Sequence, residues 1–321
     1  MDKAKYVGDI IAKDGTHKEN IKARCGRGLG AISTIINILK DVSLGQYHFE
    51  IALLLRQTIF LSTVLHNSET WVNLLKTDIQ HLETLDETLL RRILNAPAKT
   101  SIPSLYQELG CYPIKYTLMA KRLRFLHHIL NCNEDRLINQ FFWAQESSPV
   151  KNDWVLQIKE DLKVLGLDYL KWDNIKILKK EAFKGLIESK INEVAFSDLN
   201  EEKEKRSKVK NLQYKKLKLQ KYLTSKDINI RRKKLIFKIR TRMIETPENI
   251  GQQVLCKLCR IELDTQSYIT ECIIIKLKCP ELLEIDQNIS DIFNNGTMTD
   301  IKHYIGIYEK ALRIRQNILK T

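Results

Sequence analysis

The stretch Ile79–Pro97, IQHLETLDETLLRRILNAP, decides how this chain folds. Its apolar residues Ile79, Leu82, Leu85, Leu89 and Ile93 recur at steps of three and four, which lines them along one side of an α-helix. Glu83, Glu87 and Arg91 fall on the other side, and Pro97, which cannot continue a helix, closes the run. The spacing predicts an amphipathic helix with one face for a core. Glu83, Asp86 and Glu87 are then placed on its solvated face.

The flanking sequence repeats the pattern. Periodic apolar positions predict helices over Glu19 to Lys40, Tyr47 to Leu65, Pro113 to Leu130, Asp153 to Leu165, Asp173 to Lys190, Lys190 to Leu199 and Ile301 to Leu319. Helices of this length, each with one apolar face, bury it only by packing on one another, so the expected class is a mainly α helical bundle. The opening KYVGDIIAKDG differs: side chains alternate about Gly8 and Asp14-Gly15 is a turn signal, which predicts a short N-terminal β-hairpin. The polar ESSPVKND, Glu146 to Asp153, is the candidate domain boundary, because Pro149 disfavours helix at the residue before it.

Composition bounds the function classes. The 321 residues suffice for one large or two modest domains. The longest apolar run, Ile51 to Leu65, is interrupted by Arg56, Gln57 and Thr58, so no lipid-spanning stretch is expected, and no membrane partner. The N-terminus has no apolar signal region, and seven cysteines, an odd count, fit a reducing compartment. Nucleus or cytoplasm, not secretion, is the expected location.

The formal net charge is +14, and Glu201 to Met243 holds 17 Lys or Arg against 4 acids, a net of +13. That concentration points to a polyanionic partner: cations for phosphates, with Tyr214, Tyr222 and Phe237 interleaved for stacking. Lys215, Lys216, Lys218, Arg231, Arg232, Lys233, Lys234, Arg240 and Arg242 are the candidate contacts. Arg231 to Lys234 also reads as a nuclear-localisation cluster. Gly26, Gly28 and Gly30 in ARCGRGLGA have no preceding strand, so they suit close helix packing better than a phosphate loop, although Arg24 and Arg27 are candidate phosphate contacts. His127 and His128 near Cys132 have no orienting carboxylate close in sequence and read as packing residues.

CKLCRIELDTQSYITEC, Cys256 to Cys272, offers three thiols at the spacing of a compact zinc site and no evident fourth ligand. A lost metal, a displaced ligand and no site at all are each compatible with it.

In order along the chain, KYVGDIIAKDG (Lys5 to Gly15), SETW (Ser68 to Trp71), LETLDETLLRRILNAP (Leu82 to Pro97), LYQELGCYPIKYTLMAKRLRFLHHIL (Leu105 to Leu130), DWV (Asp153 to Val155), FKIRTRM (Phe237 to Met243) and the cysteine stretch resemble the C-terminal part of reverse transcriptases from non-LTR, LINE-like retrotransposons. The resemblance implies a primer-grip-like hairpin at 1–15, a thumb-like bundle at 16–145, a helical connector at 146–200, a basic helical segment at 201–250, a zinc-knuckle-like module at 251–285 and a C-terminal helix at 286–321. It implies a template RNA, an RNA–DNA hybrid or DNA as partner, with Lys115, Lys121, Arg122 and Arg124 on the thumb touching the backbone. The palm aspartates that hold catalytic magnesium in that family, usually an aromatic-Ala-Asp-Asp motif, are not in this sequence. The expectation is therefore a truncated fragment that binds without polymerising and needs no catalytic Mg. A nuclear protein-interaction scaffold, or a relic without function, is the alternative.

The resemblance also implies a Cys-Cys-His-Cys zinc site. Asp264, Thr265 and Gln266 stand where the family introduces its histidine, and Tyr268 occupies the histidine position. Tyrosine, with a pKa near about 10, ligates zinc poorly. Cys279 is the candidate replacement, making Cys256, Cys259, Cys272 and Cys279 the expected ligands of a small zinc module, intact or degenerate.

Overall fold

A computed structural model describes residues 3–6, 8–13, 15–40, 42–150, 153–283 and 289–320. The chain is mainly helical and opens with an antiparallel hairpin, β1 (Lys3–Tyr6) and β2 (Asp9–Ala12), in which Lys3 pairs with Ala12 and Tyr6 with Asp9. The expected turn residue Asp14 and the expected boundary at 285/286 lie outside the described residues. There follow α1 (Lys18–Ile38), α2 (His48–Leu55, continued by a π-helical stretch, Arg56–Leu61, and a last turn, Ser62–Val64), α3 (Lys76–Leu94), α4 (Ile102–Leu109), α5 (Ile114–Asn131), α6 (Leu137–Ser147), α7 (Trp154–Val164), α8 (Lys180–Glu204), α9 (Ile230–Arg240) and α10 (Met298–Lys320). Among the described residues no helix is long and apolar enough to cross a membrane.

Local signals explain the ends. α3 stops at Leu94 because Asn95 takes a left-handed conformation, φ 52°, and the Ala96 N–H bonds back to the Arg91 carbonyl at 2.8 Å. The Asp153 side chain caps α7 by accepting from the Leu156 N–H at 2.8 Å. The two runs expected over Asp173 to Leu199 divide differently: a short helix, Trp172–Ile177, is followed by a single α8. The basic segment is also not one helix, since from Arg206 to Gln220 it forms turns and irregular chain. Its charges lie too densely on a thin apolar face to make an amphipathic helix worth forming.

Two compact units result, Met1–Asp41 with Ile51–Leu90 and Cys111–Asn200, and Val42–Glu50 with Arg91–Gly110 and Glu201–Thr321. The ESSPVKND stretch lies inside the first. In that unit, Ile21, Ile32 and Ile35 of α1, Phe60 and Val64, Leu82 and Leu89 of α3, and Leu123 and Leu126 of α5 are buried. Gly28 is where α1 meets its neighbours, because a Cβ there would lie 2.5 Å from Leu85 Cδ2 and 2.8 Å from Val64 Cγ2, whereas Gly26 and Gly30 face open space. One expectation about α3 is corrected. Asp86 is not solvated; it is fully buried and accepts from Arg56 Nε at 2.7 Å and Nη2 at 2.6 Å. Arg56 sits on another helix, so periodicity along α3 alone cannot reveal the partner.

In the second unit the core is made by Leu105 and Leu109 of α4, Leu223 of the short helix Lys221–Thr224, Ile236 and Phe237 of α9, and Tyr304, Ile305 and Tyr308 of α10. Lys233 is fully buried, its ammonium donating to the Leu223 carbonyl at 2.6 Å and the Gln46 carbonyl at 3.4 Å.

Candidate nucleic-acid interface and cysteine cluster

Of the cations expected to touch nucleic acid, those that are exposed and without a carboxylate partner lie, Arg27 apart, in the second unit. Lys215, Lys216 and Lys218 are exposed on an irregular loop, Arg231 is exposed in the first turn of α9, and Arg242 is exposed just beyond its end. Among the described residues none of these five is paired with a carboxylate. Lys234 is half-buried, and that burial pushes its ammonium below the usual lysine range. Arg232 differs, holding Glu309 at 3.0 Å.

The lysine loop is fixed from below. Glu108 on α4 is fully buried and accepts from the hydroxyls of Tyr214 and Tyr222 and from Arg240 Nε, each at 2.8 Å. The Arg240 guanidinium lies 5.6–5.8 Å from the rings of Tyr214, Tyr222 and Phe293. Burial and the adjacent Glu108 carboxylate hold both phenols well above the usual tyrosine range. Burial alone would lower the Arg240 pKa, but Glu108 outweighs it and raises it. Gly110, at φ 67°, lets the loop pass close, since a Cβ there would come within 2.1 Å of the Lys218 carbonyl carbon and the Leu219 nitrogen. The Gln220 N–H then bonds to the Glu108 carbonyl at 3.1 Å.

This arrangement corrects several expectations. Tyr214, Tyr222 and Phe237 are structural, not a stacking platform, and Arg240 and Lys233 are internal anchors that no phosphate can reach. Interleaved aromatics and cations look alike in sequence whether they face a core or a ligand, and Glu108, more than a hundred residues upstream of Tyr214, decides between the two.

The cations expected on the first unit are largely neutralised. Arg24 is buried and held by Asp9 at 2.5 Å, and Arg122 is buried against Asp161 at 2.6 Å. Lys115 pairs with Asp198, Lys121 with Glu69 and Arg124 with Glu188, at 2.8, 3.0 and 2.7 Å. Arg27 is exposed and donates to the Gly8 carbonyl at 3.1 Å. His127 shares a hydrogen bond with the Leu178 carbonyl at 2.8 Å and stacks on Phe183, while His128 lies on Phe125, so both are packing residues.

The cysteine stretch folds as a small hairpin. Leu255 and Leu263 form an antiparallel bridge, the Cys256 N–H bonds to the Glu262 carbonyl at 2.7 Å, and Arg260, at φ 57°, makes the turn. Two short helices, Tyr268–Glu271 and Ile273–Lys278, then flank Cys272. The sulfurs of Cys256, Cys259 and Cys272 all lie within 4.8 Å of one another, a grouping that can hold a metal ion. Cys256 and Cys272 are 3.8 Å apart, which matches the edge of a tetrahedron built on Zn–S bonds of about 2.3 Å. The Tyr268 hydroxyl lies 3.2 Å from Cys259 Sγ, and that hydrogen bond, with burial, pushes the phenol above its ordinary range.

Cys279 is not part of the cluster. It is buried and donates to Glu281 at 3.3 Å, so the expectation that it supplies the fourth thiolate is corrected: the helix Ile273–Lys278 carries it away from Cys272. Asp264, Thr265 and Gln266 have structural partners. Asp264 accepts from Arg315 at 2.5 Å, Thr265 Oγ1 accepts the Tyr268 N–H at 3.1 Å, and Gln266 bridges the Ile239 carbonyl and the Ile244 N–H, both at 2.9 Å. Asp264 ties the cysteine hairpin to α10 and Gln266 ties it to α9, while Thr265 caps the turn before Tyr268.

A scan against protein-family models and searches of the curated proteins and of the solved structures give no match for this chain.

Proposed function

We propose that the chain is a nucleic-acid-binding part of a protein like the non-LTR retrotransposon reverse transcriptases, acting through backbone contacts and not through nucleotide addition. The observation that carries this reading is the loop Lys215, Lys216 and Lys218, three exposed cations without carboxylate partners, held rigidly over Glu108. Rigid presentation lowers the entropy lost when phosphates are bound, and un-neutralised charge is what counterion release requires. Gel-shift measurements with an RNA–DNA hybrid, single-stranded RNA and duplex DNA test binding. A primer-extension assay tests the second half of the proposal: template-dependent synthesis by this chain overturns it.

The cysteine cluster is the proposed zinc site, with Cys256, Cys259 and Cys272 as the ligands the chain supplies. Bound zinc would brace the hairpin that Asp264 and Gln266 anchor. Tyr268, 3.2 Å from Cys259 Sγ, then serves as a hydrogen-bond donor to that thiolate and not as a ligand, because a phenol with an ordinary pKa near about 10 stays protonated at neutral pH.

A further inference from the structure

A cleft of ≈ 490 Å³ between α9 and α10 is lined by Arg231, Lys234 and Lys238 from one helix and Arg313 from the other. Steps of three and four place the first three on one side of α9. The cleft holds a single acid, Glu309, and Arg232 engages it through Nε and Nη2 at 3.0 Å, so it does not neutralise the other four. Lys238 has only Glu245, at 4.0 Å and almost wholly solvent-exposed. Arg231, Lys234 and Arg313 have no carboxylate partner among the described residues. Four like charges in one cleft repel each other, and an anion entering it relieves that repulsion. Between the cations the walls are apolar, made by Leu235 and Leu312.

We propose that this cleft binds a nucleotide, its phosphate held by Arg231, Lys234, Lys238 and Arg313 and its base lying against Leu235 and Leu312. The volume falls within the roughly 300–1,000 Å³ of small-ligand sites, and guanidinium and ammonium groups together suit phosphate oxygens. The inference deepens the nucleic-acid reading and rests on it, adding Lys238 and Arg313, which lie outside the loop that carries that reading. Free nucleotides and the units of a single strand share this chemistry. A cleft between two helices admits a single backbone and not both strands of a duplex.

The test uses the full chain, a short oligouridylate carrying 4-thiouridine, and uridine 5′-monophosphate. Two variants are compared with the wild type, K234Q/K238Q/R313Q in the cleft and K215Q/K216Q/K218Q on the loop, with thermal melting to confirm that each is folded. The proposal expects the cleft variant to lose affinity for the oligonucleotide about tenfold or more, and wild-type photocross-links to map to residues 230–238 and 309–316. Saturable binding of the mononucleotide, abolished in the cleft variant, identifies a free nucleotide as ligand; binding confined to the oligonucleotide identifies a strand. If the cleft variant binds like the wild type while the loop variant loses affinity, and no cross-link falls in the cleft, this inference fails and the nucleic-acid reading stands. If the wild type binds neither probe at low salt, both fail.

Discussion

Arg240 Nε donates to Glu108 Oε1 at 2.8 Å with both side chains almost wholly shielded from water, and the same carboxylate accepts from Tyr214 and Tyr222. Removing one member leaves a buried charge unpaired. Glu108→Ala is expected to destabilise the fold by about 3–5 kcal/mol, as breaking buried pairs does. Urea unfolding checks this, and the double change E108L/R240L should be less damaging than the sum of the singles. A Glu108→Ala variant within about 1 kcal/mol of the wild type would show that the cluster does not hold the loop.

The glycines give a sharper contrast. Gly26→Ala and Gly30→Ala point into open space on α1 and should stabilise the helix by roughly 0.5–1 kcal/mol each. Gly28→Ala meets Leu85 and Val64 and should lose that gain or reverse it. Gly110→Ala combines a left-handed φ with a clash against backbone, so a loss of about 2 kcal/mol or more is expected. Thermal melting of the four variants ranks them.

His48 is buried, neither ring nitrogen has a hydrogen-bond partner, and burial, then Lys234 and Lys233, push its pKa down to about 4. Glu50 is the acid facing Lys233 in the same region. Because the folded state holds fewer protons than the unfolded chain between the two pKa values, stability is complete above the unfolded pKa and falls as pH drops from about 6.5 toward about 4. The loss near the lower end is on the order of 3 kcal/mol. His48→Phe should flatten this part of the pH–stability curve; an unchanged slope would assign the acid sensitivity to other groups.

Zinc stoichiometry separates the cysteines. Cys279→Ser should retain the metal, Cys272→Ser should lose it, and Tyr268→His, which restores a nitrogen donor, should bind it about tenfold or more tightly. Metal lost only in Cys279→Ser would contradict the observed cluster.

How much of this was legible in the sequence follows from the range of each interaction. α3, α5, α7 and the hairpin depend on period, caps and turn residues within a few positions, and they appear where expected. Asp86, buried by Arg56, and Arg240, buried by Glu108, depend on partners thirty or more residues away, and a charge has no local mark of its future burial. The cysteine cluster was legible in its first three members, because their spacing is itself the signal. Cys279 misled for the same reason: sequence proximity says nothing of the intervening helix that takes its thiol elsewhere. Arg313 was missed because only the packing of α9 beside α10 brings it to Lys234.

The central claim is that free cations of the second unit, not the ion-paired ones of the first, bind nucleic acid. The most direct measurement is the salt dependence of binding to an RNA–DNA hybrid between about 50 and about 200 mM for the wild type, K215Q/K216Q/K218Q and K115Q/K121Q/R124Q. The account predicts steep wild-type dependence, a logarithmic slope shallower by about 2 in the loop variant, and little change in the other. Salt-independent wild-type binding, or an equal loss of slope in K115Q/K121Q/R124Q, would contradict it.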